Sequence, residues 1–260
     1  MNLPYIKIGH GTEILLAFHG IGQDFSAFED FAITFQEQYT TLLFDLPFHG
    51  QNQCTPPDKS FSKEALALCI EAILKQEQIE RFSLVGFSMG GRFALSIANS
   101  FAKRLNQLIL IAPDGIKEHP LFLFATCCKV TRFFFKKVIF HPSLLAKGSS
   151  LLVRLKLLNP SIQRFSLSTL NTEAKKHQIF NAWVSFRELK YEKSLVRQLN
   201  DNAVEVSIYI GRFDKLLPLK KVKYLHNQLN NSHLTLLNSG HTRMIEQTTL
   251  YYLNITPKSP

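Results

Sequence analysis

A serine hydroxyl attacks a carbonyl efficiently only when a neighbouring base removes its proton. Three segments of this 260-residue sequence supply residues of the required types. The first is Phe82-Ser83-Leu84-Val85-Gly86-Phe87-Ser88-Met89-Gly90-Gly91, a G-x-S-x-G run between an apolar stretch that reads as a strand and one that reads as a helix. In that setting the serine sits on a strained turn, and small residues two positions to either side let backbones approach. The helix start then favours developing negative charge. The second segment, Leu237-Asn238-Ser239-Gly240-His241, follows the last apolar run and offers His241 as general base. The third, Gly211-Arg212-Phe213-Asp214-Lys215, follows the penultimate run and offers Asp214 as the carboxylate that orients the imidazole. Asp114, in Pro113-Asp114-Gly115, is the competing carboxylate, and its other reading is a turn cap. The chemistry these residues suit is acyl transfer through a covalent Ser88 intermediate. It needs two donors for the oxyanion, and the backbone N–H groups of Met89 and of Ile21, in Phe18-His19-Gly20-Ile21-Gly22, are the candidates. His19 reads as a buried loop histidine bonded to backbone.

These groups lie far apart in the chain, so a scaffold must converge them. Apolar runs of strand length occur at Ile14 to Phe18, Thr41 to Phe44, Phe82 to Val85, Leu105 to Ile111, Val204 to Ile210 and His233 to Leu237. Helical patterns lie between most of them: Lys63 to Gln76 behind a Ser62 cap, Met89 to Phe101, and Thr242 to Leu253. Alternation of this kind predicts an α/β fold with a mostly parallel sheet flanked by helices. Residues 116–200 break the rhythm. They read as helices punctuated by Pro120, Pro142, Gly148 and Pro160, with one long or two joined helices over Thr172 to Arg197. The expected organisation is a core at 1–115 and 201–260 with a helical cap inserted at 116–200.

The net charge of +10 belongs to that insertion, which holds 15 Lys/Arg against 4 Asp/Glu; the rest of the chain holds 15 against 16. Leu121-Phe122-Leu123-Phe124 and Arg132-Phe133-Phe134-Phe135-Lys136-Lys137 add aromatic bulk. Three readings stand for this segment: a helical subdomain packing its own aromatics, Trp183 among them; a lid over an apolar substrate; or a peripheral contact with an anionic membrane. No recognised nucleic-acid module accompanies the charge, so nucleic acid is not an expected partner. Cys54, Cys69, Cys127 and Cys128 show neither metal-ligand spacing nor the density of a disulfide framework. No secretory pattern precedes the first run, and the longest apolar stretch is far shorter than the ~20 residues that span a bilayer. A cytoplasmic setting is the expectation.

At these residues the chain resembles the α/β-hydrolase superfamily with a helical lid or cap. The segments that carry the likeness are Ala17 to Gly22, Phe44-Asp45-Leu46-Pro47-Phe48-His49-Gly50, Gly86 to Gly91, Gly211 to Asp214 and Ser239-Gly240-His241. The resemblance implies that His49 is a structural loop residue. Members usually carry Gly where this chain has Phe48, a bulk that either narrows the pocket mouth or reshapes the turn. A serine at position 88, where haloalkane dehalogenases and epoxide hydrolases use aspartate, points to the esterase, thioesterase, lipase and carbon–carbon hydrolase branches. The resemblance therefore implies hydrolysis of an ester or thioester of a small, apolar substrate. Lyase-type synthases of the menaquinone pathway, cofactor-free haloperoxidases and ligand-binding proteins on the same scaffold remain alternatives. No phosphate-cradling loop or metal cluster occurs in the sequence, and no cofactor is expected.

Overall fold

A computed structural model describes residues 2–52, 54, 60–118 and 120–255. Its frame is a seven-stranded sheet: β1 (Tyr5–Ile8), β2 (Glu13–Phe18), β3 (Tyr39–Phe44), β4 (Phe82–Phe87), β5 (Leu105–Ile111), β6 (Glu205–Gly211) and β7 (Ser232–Leu237), in the order β1-β3-β2-β4-β5-β6-β7. All pairings from β3 through β7 are parallel, and only β1 runs antiparallel, with Tyr5 opposite Phe44. The α/β architecture read from the alternation is therefore the one that forms.

Parallel strands covered on both faces read as continuous apolar runs. Thus β4 is buried at all six of its residues. Successive side chains feed opposite layers. Leu16, Phe18, Leu84, Leu108 and Ile208 pack into one core with α2 (Lys63–Gln76), α3 (Gly90–Phe101), α9 (Lys193–Asp201) and α10 (Leu219–His226). Leu15, Ala17, Val85 and Ile109 pack into the other with α1 (Glu29–Thr34) and α11 (Met244–Ile255). The predicted helix over 63–76 forms between those residues, and the Ser62 Oγ accepts the Ala65 N–H at 3.1 Å. The stretch Thr172 to Arg197 is two helices, α8 (Glu173–Ser185) and α9, parted by residues 186–192, where Phe186 and Leu189 turn into the core. The last predicted helix opens as a single 3-10 turn, His241–Arg243, before α11.

Between β5 and α9 lie α4 (Pro120–Thr126), α5 (Lys129–Phe140), α6 (Pro142–Arg154), α7 (Pro160–Thr169) and α8. Their shared interior is aromatic: Trp183 meets Phe122 at 5.2 Å and Phe135 at 5.4 Å between ring centres. Phe135 also meets Phe180 at 5.7 Å, so Trp183 packs as part of this cluster. The stretches entering and leaving the insertion are joined by a hydrogen bond from the Tyr191 N–H to the Gly115 carbonyl, 2.9 Å.

Candidate active site

Ser88 follows β4 directly, at φ +51°, in the left-handed region that side chains rarely adopt. Three backbone bonds hold it there. Its N–H donates to Ile111 O (3.0 Å), and its carbonyl accepts from Gly91 N (2.9 Å) and Asp114 N (2.8 Å). The neighbouring glycines are steric necessities. A Cβ on Gly86 would stand 2.6 Å from the Gly90 carbonyl oxygen, and one on Gly90 would stand 2.0 Å from that of Phe18. The G-x-S-x-G spacing thus lets β4 turn sharply into α3 while α3 begins against the end of β2.

His241 leaves the loop after β7 and reaches both partners expected of it. Its Nε2 lies 3.0 Å from Ser88 Oγ, and its Nδ1 lies 2.7 Å from Asp214 Oδ2. The ring rests on Phe87, 5.1 Å between centres. Asp214 is buried on the turn after β6, and its other oxygen, Oδ1, accepts the backbone N–H groups of Leu216 (2.8 Å) and Leu217 (2.9 Å). The 211–214 turn is fastened to the histidine loop by Arg212 N–H to Leu237 O (2.8 Å) and Phe213 N–H to Ser239 O (3.0 Å). With Asp214 holding Nδ1–H, Nε2 is left as the acceptor facing the serine hydroxyl.

Asp114, the competing carboxylate, is engaged elsewhere. Its Oδ2 accepts from Arg92 Nε at 2.7 Å, and the same guanidinium forms a forked pair with Glu118 at 2.9 and 2.7 Å. Arg92 is only 1% exposed; it also donates to the Leu189 carbonyl (3.3 Å) and lies 4.5 Å above the Phe122 ring. The buried ion cluster joins the start of α3 to both ends of the insertion. Nothing in the sequence marked Arg92 for this role except its place one turn past Ser88 as the only charged residue of α3.

The loop after β2 carries the second candidate oxyanion donor. Gly90 lets this loop approach the start of α3, where Met89 stands next to Ser88, and Ile21 lines the cavity in front of Ser88. His19 is fully buried beneath the loop: Nδ1–H donates to Gly20 O (2.7 Å), and Nε2 accepts from Leu46 N–H (3.1 Å). Burial holds its pKa down to about 4, so both backbone bonds are made by a neutral ring. His49, also buried and with its ring 5.2 Å from that of His19, donates Nδ1–H to Pro47 O (2.9 Å); burial and then its neighbour His19 lower its pKa to about 3. Phe48 takes φ +72°, the conformation that favours glycine. Its ring packs between Phe61 (6.1 Å) and Phe186 (5.8 Å), so it joins the core instead of narrowing the cavity.

The cavity in front of Ser88 encloses about 300 Å³. Ile21, Phe87 and Ser88 supply its wall from the core, whereas Ser168, Thr169, Asn171 and Lys175 come from the end of α7 and the start of α8. Lys175 Nζ donates to the Gly22 carbonyl at 2.6 Å, which ties the insertion to the loop carrying Ile21. Sequence reasoning missed these four residues, because no motif marks the segments of α7 and α8 that line the cavity. Among the described residues no group of three or more His, Cys, Asp or Glu side chains has the arrangement of a metal site.

Comparison with known proteins agrees with this architecture. A family model described as the alpha/beta hydrolase fold matches residues 13–248. The chain is 24% identical over 239 residues to the uncharacterized hydrolase YugF of Bacillus subtilis, covering 89% of this chain and 84% of that one. It is 23% identical over 269 residues to a pimeloyl-[acyl-carrier protein] methyl ester esterase of Pseudoalteromonas atlantica, covering 95% and 94%. Among solved structures it superposes on a thermophilic esterase of Thermogutta terrifontis with a TM-score of 0.70 at 19% identity, covering 97% and 91%. With the family model spanning nearly the whole sheet and its flanking helices, this chain is an enzyme of the α/β-hydrolase fold family.

Proposed function

We propose that the enzyme hydrolyses a small carboxylic ester or thioester, with Ser88 as nucleophile, His241 as general base and acid, and Asp214 as the group that orients and charge-balances the imidazole. The observation that carries this reading is the single imidazole bridging Ser88 Oγ at 3.0 Å and a buried carboxylate at 2.7 Å. His241 Nε2 takes the hydroxyl proton as Oγ bonds to the substrate carbonyl carbon. The carbonyl oxygen becomes an oxyanion, received by the N–H groups of Met89 and Ile21. Collapse of this intermediate expels the alcohol or thiol, which leaves with the proton from His241. Water, deprotonated by the same nitrogen, then releases the acid and restores Ser88.

Apolar surface from Ile21 and Phe87 suits the acyl portion, and a cavity of about 300 Å³ suits a small one. Similarity to proteins named as an esterase and a methyl ester esterase favours oxygen esters as the first substrates to test. Ser88→Ala is expected to abolish both turnover of short p-nitrophenyl esters and labelling by a fluorophosphonate probe. Undiminished labelling of that variant would remove Ser88 as the nucleophile. Product release without any trappable acyl-enzyme in the unmodified protein would favour the lyase-type use of the same residues.

A further inference from the structure

From residue 119 to residue 172 the chain contains no Asp or Glu and eight Lys/Arg. The same segment forms α4 to α7, and these helices turn apolar side chains to the outside as well as the inside. On α5, Phe135 and Ile139 face inward, Phe135 against Phe180 and Trp183 of α8. The opposite face carries Val130, Phe133, Phe134 and Val138, at helical spacing, with Phe133 and Phe134 more than half exposed. The outer face of α6 repeats the pattern with Leu144 and Leu151, and Leu155 follows it directly. Phe124 of α4 is 69% exposed.

Lysines and arginines border these stripes. Lys129, Lys136 and Lys137 are exposed on α5, Lys147 and Arg154 on α6, and Lys156 just beyond it. The Lys137 ammonium sits 4.7 Å above the Phe133 ring, so charge and aromatic surface share one site. A helix that is apolar on both faces normally has something covering each of them.

We propose that this outer face of α4–α6 docks on the surface of an anionic phospholipid bilayer, with Phe124, Phe133, Phe134 and the α6 leucines entering the acyl boundary and the lysines meeting the headgroups. Charge complementarity selects this occupant. A second copy of the chain would bring an identical basic face against the first, and nucleic acid, though its bases could stack on the phenylalanines, would leave the exposed leucines and valines uncovered. Basic residues around an outward apolar stripe are the composition of helices that lie in the bilayer interface. No helix of the described residues is long and apolar enough to cross a membrane, so the contact is peripheral. The proposal does not depend on the chemistry assigned to Ser88.

The test is co-sedimentation of the full chain with vesicles of about equal parts phosphatidylglycerol and phosphatidylcholine, beside vesicles of phosphatidylcholine alone. The wild-type protein and the Ser88→Ala variant are expected to partition onto the anionic vesicles at least tenfold more strongly than onto the neutral ones. A lysine near such a surface contributes about 1 kcal/mol, or about fivefold in partitioning. Lys137→Gln with Lys147→Gln should therefore weaken binding about thirtyfold. Phe133→Ser with Phe134→Ser should abolish the binding that survives at high salt. Both double variants lie on the solvent face and should keep wild-type turnover of a soluble ester, which separates loss of docking from loss of fold. Equal recovery of the wild-type protein with anionic, neutral and no vesicles would overturn the proposal. So would a concentration-dependent dimer in sedimentation velocity that the phenylalanine variant dissociates without any change in vesicle binding.

Discussion

Asp214→Asn separates the two carboxylates near Ser88 more sharply than any other substitution. Asparagine keeps an oxygen able to accept from the Leu216 and Leu217 N–H groups, now at 2.8 and 2.9 Å, so the turn after β6 should survive. It places an amide N–H₂ where Oδ2 now accepts from His241 Nδ1 at 2.7 Å. The ring then presents Nδ1 as the acceptor and carries its proton on Nε2, facing Ser88, where a base is needed. A wrong tautomer of this kind costs about 10⁴ in kcat, or about 5 kcal/mol of transition-state stabilisation. Thermal unfolding should move by less than about 2 °C, since the loop bonds are retained. Asp114→Asn predicts the reverse. It replaces the charged partner of Arg92 Nε by a neutral amide oxygen while Glu118 keeps its forked pair, costing about 1–3 kcal/mol for a buried cation and lowering Tm by about 5 °C. Its kcat should stay within about threefold of wild type. Steady-state hydrolysis of p-nitrophenyl butyrate and calorimetric melts of both variants decide the matter. If Asp214→Asn keeps more than about a tenth of the activity, or if Asp114→Asn is the variant that loses kcat, the assignment of the acid is wrong.

Phe48→Ala should cost about 3–5 kcal/mol by emptying the site between Phe61 and Phe186, while Phe48→Gly should be about 1 kcal/mol more stable than the alanine variant because φ +72° is free of strain only in glycine. Denaturant melts that rank glycine below alanine would refute the strain. Burial holds His19 at about 4 against an ordinary 6.5, so between those values the unfolded chain binds a proton that the native one does not. Stability is therefore fully present above pH 6.5 and falls as pH drops toward 4, by about 3 kcal/mol for this ring alone. His19→Asn should flatten that slope in urea titrations run across the window. Lys175→Met should lower kcat/KM for a short ester about 10- to 100-fold by freeing the Gly22 carbonyl and with it the loop carrying Ile21; unchanged kinetics would show that the loop holds its place without this bond from α8.

The sheet was legible because its interior strands are buried on both faces and therefore read as unbroken apolar runs. Tyr5–Ile8 escaped for the opposite reason: a four-residue edge strand after Pro4, half-buried except at the exposed Lys7, leaves little pattern. Ser88, Asp214 and His241 could be grouped from sequence because each lies within four residues of a strand end, so chain order put them at one sheet edge. The Asp114 ambiguity could not be resolved from sequence, since its partner Arg92 lies 22 residues away and only folding brings them together. The cavity wall from α7 and α8 was invisible for the same reason. Ser168, Thr169, Asn171 and Lys175 owe their place to how the insertion settles on the core, and no local spacing encodes that.

The guanidinium of Arg92 grips Glu118 where the insertion departs and the Leu189 carbonyl where it returns. Both stems of the helical segment between β5 and α9 are thereby fastened to the helix that begins beside Ser88. Anchorage at both roots makes the wall that residues 168–175 give the cavity depend on a side chain one turn past Ser88, so a lesion at Arg92 is expected to disturb that wall and the serine turn together.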